Sequence, residues 1–141
     1  MCIKIFSLIV QLSISMQEKG KEYIKLKLAT CFRIILKSKR NLDLENKAKN
    51  IEDVRLVASM RQLEAESGLS YTIIQNVSVG KRDLQFTSLI ALIENLGISF
   101  SEFAGLYDTI TEKQMIEEKA LIEKNKIKKK VKSKKSVENM K

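Results

Sequence analysis

In the segment Tyr71-Thr-Ile-Ile-Gln-Asn-Val-Ser-Val79, apolar and hydrogen-bonding side chains fall at helical spacing. Turning Ile74 and Val77 inward, with Leu63 and Leu69 from the preceding segment, turns Tyr71, Thr72, Gln75 and Asn76 outward. These four groups suit base edges. The amides of Gln75 and Asn76 each carry a donor beside an acceptor, matching adenine N6 and N7 in a major groove. Thr72 offers a hydroxyl, or a methyl to thymine, and Tyr71 a phenol or a stacking ring. Around them stand groups suited to phosphate oxygens: Arg61 and Ser70 at two helix N-termini, with Lys81 and Arg82 just past the segment. Ile73 has neither role, and outward it would meet a thymine methyl or a partner protein. A Gln-Asn pair is also what a plain solvated helix face looks like, and Lys81-Arg82 also reads as an ordinary turn. The placement of the segment is what favours contact.

Other chemistries find little to work with. There is no His, which removes the commonest general base and metal ligand. Cys2 and Cys31 are far apart and make neither a zinc site nor a disulfide framework. Cys31 lies in an apolar helical run and reads as a buried core thiol. None of the five glycines belongs to a phosphate-binding loop. No catalytic residue, metal or cofactor is expected, so the chain does not read as an enzyme. No small-molecule effector site is evident.

The elements that would position these groups are helices. The 141 residues contain no Pro and few Gly, and they fit one domain with tails. Lys and Arg exceed Asp and Glu by 26 to 17, and the net charge of +9 favours a polyanionic partner through counterion release. An AT-rich genome would also inflate Lys, Ile and Asn through its codons.

Residues 1–15 form an apolar segment after one Lys, too short to span a bilayer and without a good cleavage site. It reads first as a start placed upstream of a true initiator at Met16. An apolar arm on the domain comes next, and an export signal last. No membrane partner is expected. Lys21 to Lys39 reads as an amphipathic helix with Ile24, Leu28, Cys31, Phe32, Ile35 and Leu36 on its stripe. Arg40 to Asn50 reads as a connection, with or without a helical turn, and Asn50 as the cap of a helix whose face holds Ile51, Val54, Val57 and Ala58.

Ser59 and Gln62 form a capping-box pattern, and Gly68 ends a short helix. Ser70 then caps the 71–79 helix, stopped by Gly80. Thr87 or Asp83 starts the next helix, carrying Leu89, Ile90, Leu92, Ile93 and Leu96. Ser99 or Ser101 caps the one after, with Phe103, Leu106 and Tyr107 inward. Residues 109–141 form a charged Lys-rich tail, helical or disordered, whose run Lys124 to Lys135 either binds nucleic acid loosely or is simply solvated.

The run Arg61 to Arg82, continued by Phe86 to Phe103 with its Leu-Gly-Ile-Ser turn, resembles the Cro/C1-type (XRE) helix-turn-helix family. Leu63, Gly68, Leu69, Ile74, Val77 and Gly80 stand at the family's core and turn positions. The resemblance implies an all-α fold: a compact lambda-repressor-like bundle of about five helices over residues 21–108, with the helix-turn-helix at 60–80. The family's first helix would come from 21–39 or from the Ile51 segment. Met60 and Ser78 replace the family's usual Gln and Glu, and Glu64 stands where a small residue is usual. A buried carboxylate is costly, so Glu64 is expected to turn outward while Ala65 takes the close contact.

The resemblance further implies a cytoplasmic transcriptional regulator that binds double-stranded DNA and reads the major groove with helix 71–79. Proteins of this fold often bind as homodimers. A dimer surface would come from Phe100, Phe103, Leu106 and Tyr107 or from the tail. Two alternatives stay open: an antitoxin of a toxin–antitoxin pair, and an adaptor that binds protein or RNA without reading bases.

Overall fold

The computed structural model describes residues 2–138, all of whose regular structure is helical. The helices are α1 (Cys2–Ala48), α2 (Met60–Ser67), α3 (Tyr71–Ser78), α4 (Phe86–Asn95), α5 (Phe100–Thr109) and α6 (Glu112–Glu138). α1 packs on α3, α5 and α6, α2 on α3 and α4, and α4 on α5.

α1 is the central post. Ala29, Thr30, Cys31 and Phe32 are all buried, and four consecutive residues cover a full helical turn. The helix is therefore enclosed on every side there. The buried Thr30 hydroxyl is satisfied by donating to the Leu26 carbonyl at 2.8 Å. Burial pushes the Cys31 thiol up to about 12. Around this post Leu63, Ile74, Val77, Leu92, Ile93, Leu96 and Phe103 complete the core. The expected apolar positions of the four later helices are thus largely inward.

Two expectations about the first half are overturned. Arg40 to Ala48 continues α1 instead of connecting. Lys47 pairs with Asp43 at 2.7 Å, an i,i+4 ion pair that needs no apolar stripe. The helix then stops at Asn50, the one non-glycine residue with positive φ (54°) among those described. The Asn50 N–H donates to the Lys47 carbonyl and the Ile51 N–H to the Asn46 carbonyl, the paired bonds of a helix C-terminus. Asn50 therefore ends a helix rather than starting one. Residues 51–58 are not helical, Val54 is 96% exposed, and only Val57 and Ala58 turn inward. Of the two candidates for the first helix of the bundle, it is the stretch within α1 that packs.

α6 extends the body past the boundary expected at residue 108. Ile110, Met115 and Ile122 are buried, and Arg33 of α1 pairs with Glu118 in a partly buried contact. Phe103 belongs to the core, so of the four α5 residues expected on a dimer surface only Phe100 is freely exposed. It meets exposed Phe86 edge-on at 5.7 Å. Among the described residues no single helix is long and apolar enough to cross a membrane.

Candidate nucleic-acid interface

The α2–α3 pair is built by local capping. Ser59 accepts the Gln62 N–H, and Gln62 Oε1 reaches back to the Ala58 N–H at 3.0 Å. α2 ends at Gly68 (φ 71°), in a conformation that L side chains rarely adopt. Ser70 then caps α3 by accepting the Ile73 N–H. α3 ends at Gly80 (φ 74°), where an added Cβ would lie 3.5 Å from the Leu26 backbone of α1. The pair is thus held on the central post at the far end of α3.

Glu64 does not turn away, as had been expected. It accepts the Tyr71 N–H at 2.9 Å and pairs with Arg61 at 3.0 Å. The Tyr71 amide first, and Arg61 second, hold its carboxyl below the usual carboxylate range. Ala65 is exposed instead of packing. Arg61 also lies over the Tyr71 ring, 4.0 Å from its centroid. A carboxylate therefore occupies the first amide of α3, where a phosphate would otherwise find a donor.

Gln75 and Asn76 are half-buried and open onto a groove of about 700 Å³. Tyr71, Arg61 and Lys81 line the same groove. Ser70, Thr72 and Arg82 are exposed and lie outside it. Ile73 is half-buried, and buried Ser78 donates its hydroxyl to the Gln75 carbonyl at 2.7 Å. The structure thus gathers five of the eight sequence-derived contact residues into one concavity.

Six further cations line the groove, two of them unforeseen and four from the run Lys124 to Lys135. Arg33 and Arg40 come from α1, and Lys126, Lys128, Lys129 and Lys132 from α6. No Asp or Glu lines it. Arg33, Arg61 and Lys126 already have carboxylate partners, and Arg40 donates to the Ala58 carbonyl. Lys128, Lys129 and Lys132 make no ion pair among the described residues, and Lys81 acts on the Glu123 carboxylate only from beyond ion-pair distance. A signal for the α6 face was present in the sequence: Met115, Glu118, Ile122, Asn125, Lys129 and Lys132 recur at steps of three and four. Its apolar beginning marks a docked face, which the lysines continue.

Among the described residues no group of three His, Cys, Asp or Glu side chains could hold a metal ion. Comparison of the chain with protein-family models, with curated proteins and with solved structures finds no match.

Proposed function

We propose that the chain is a sequence-specific DNA-binding transcriptional regulator that uses α2, the Gly68–Ser70 turn and α3 as a helix-turn-helix. One observation carries the reading. The two side chains best suited to adenine, Gln75 and Asn76, open onto a groove whose charged lining residues are all cations. A groove that only bound acidic protein or lipid would have no use for two adjacent carboxamides facing the bound charge.

A second reading, nucleic-acid binding by charge without base recognition, is favoured by the half-burial of Gln75 and Asn76 and by Glu64 on the α3 N-terminus. Selection from a random duplex DNA pool separates the two. The full chain should enrich a sequence containing A/T pairs, and the Gln75→Ala/Asn76→Ala double variant should lose that enrichment while still folding. Equal, sequence-indifferent binding by both proteins, abolished by moderate salt, would replace the regulator with the second reading.

A further inference from the structure

We infer that α6 is the second jaw of a two-sided grip on duplex DNA, with the sugar–phosphate backbone of one strand lying in the groove between α3 and α6. The inference rests on the DNA-binding reading and assigns that site its phosphate ligands: Lys81 beside α3, and Lys128, Lys129 and Lys132 on α6.

The groove is a trench between α3 and α6, whose backbones stand apart although both pack on α1. α6 is nevertheless fixed beside α3. Buried Met115 and Ile122 and the Arg33–Glu118 pair seat its first half on the post. Ile122 shares a cleft with Leu26, Val79 and Gly80, at the C-terminal end of α3. From there to Lys132 is about 15 Å of helix, and α3 itself is about 12 Å long, at 1.5 Å per residue. The basic stretch is therefore long enough to flank the whole of α3.

Seating α6 by one face decides where its lysines point. Lys128, Lys129 and Lys132 line the trench, whereas exposed Lys113, Lys124 and Lys130 do not. A helix inserted in a major groove about 12 Å wide has a phosphate backbone running along its flank. α6 stands on that flank with cations turned towards it. The opposing wall carries Gln75 and Asn76, which reach bases only when the strand between is part of a duplex opened towards α3.

The test compares two triple variants of the full chain: Lys128→Gln/Lys129→Gln/Lys132→Gln in the trench, and Lys113→Gln/Lys124→Gln/Lys130→Gln outside it. Each removes three charges, taking the net charge from +9 to +6. Circular dichroism first establishes equal helix content. Affinity for a 20-base-pair duplex and for its single strand is then measured between 50 mM and 300 mM salt. The trench variant should lower the slope of log K against log salt by about 2.7, at roughly 0.9 per phosphate contact. That corresponds to a loss of roughly a hundredfold at 0.15 M salt. The outside variant should stay close to wild type.

Equal losses in the two variants would mean a diffuse basic tail and overturn the grip. An unchanged slope in the trench variant would overturn it while leaving DNA binding by α3 intact. Tighter binding of the single strand than of the duplex would overturn the duplex assignment. Failure of the wild type to bind either nucleic acid at 50 mM salt would remove the DNA-binding reading itself, and the grip with it.

Discussion

Replacing Ile122 by alanine should loosen α6 without unfolding the body. Ile122 is 5% exposed, in the cleft with Leu26, Val79 and Gly80. Truncating a buried isoleucine costs about 2–5 kcal/mol, the larger values belonging to closed cores that cannot collapse. Here open grooves flank the side chain on both sides, so water replaces part of what is lost. The low end, about 2 kcal/mol, is the appropriate figure, and it multiplies the opening equilibrium of the outer half of α6 by roughly thirty. Amide hydrogen exchange reads this directly. Protection over residues 119–132 should fall by that factor, while the amides of Leu63 and Leu92 keep theirs. Ile127→Ala is the control, because it removes the same atoms from a side chain 62% exposed and should cost no more than about 0.5 kcal/mol. If the two variants exchange alike, or if Leu63 and α6 accelerate together, then α6 is not seated by a separate apolar anchor.

Acid should weaken the fold through its capping carboxylates. The Tyr71 amide holds Glu64, and the Ser99 amide holds Glu102, below the ordinary value of 4.5. Because the folded values are the lower ones, this stabilisation is complete above about pH 4.5 and is lost as pH falls through them. Thermal melts should be flat from pH 7 to 5.5 and fall below 4.5, and Glu64→Gln/Glu102→Gln should flatten that limb; an unaltered limb refutes the assignment. The Cys31 thiol, buried and raised to about 12, should resist alkylation at pH 8 in a Cys2→Ser background and react only on unfolding. Rapid labelling of the native protein, seen by mass spectrometry, would contradict its enclosure. Gly80→Ala should cost about 1–2 kcal/mol in denaturant melts, because φ 74° is strained for an L side chain even though the space beside Leu26 is tolerable. A neutral result would mean that the α3 C-terminus relaxes off α1.

The parts of this fold legible in the sequence were those written in local chemistry. Ser59, Ser70 and Ser99 cap the helices they precede, and the apolar steps of α3 and α4 turn inward. The reading failed where the same local signals are ambiguous. Asn caps helix starts through its side chain and helix ends through its tolerance of positive φ, and nothing near Asn50 told these apart. Arg40 to Ala48 lacks an apolar stripe because it has run beyond the packed body, so periodicity, which reports burial, was silent about a helix held by its own ion pair. Gln62 does reach back to Ser59, accepting its hydroxyl at 3.2 Å, but the backbone amide it takes is that of Ala58, one residue earlier than a capping box requires.

The site was half legible for a related reason. Tyr71, Gln75 and Asn76 share a groove because they share a helix. Arg33 and Arg40 enter it from α1, and the α6 lysines from residues far along the chain, by packing that no short window contains. Charge density drew attention to the Lys run, but density alone does not distinguish the lysines facing the trench from those facing solvent.

The continuity of α1 has a mechanical consequence. Gly20 to Ile24 are exposed and Glu22 to Ile24 border the body only at its clefts, while Ala29 to Phe32 of the same helix are clamped inside it. α1 therefore runs as one unbroken beam of roughly 40 Å from Cys2 to Ala29, at 1.5 Å per residue, with its root set in the core. Anything joined in helical continuity to its outer end inherits a fixed azimuth relative to α3. Each residue inserted between beam and root would swing that load by about 100° and advance it by 1.5 Å, so a series of insertions would change the orientation of a fused reporter with helical periodicity rather than smoothly with length.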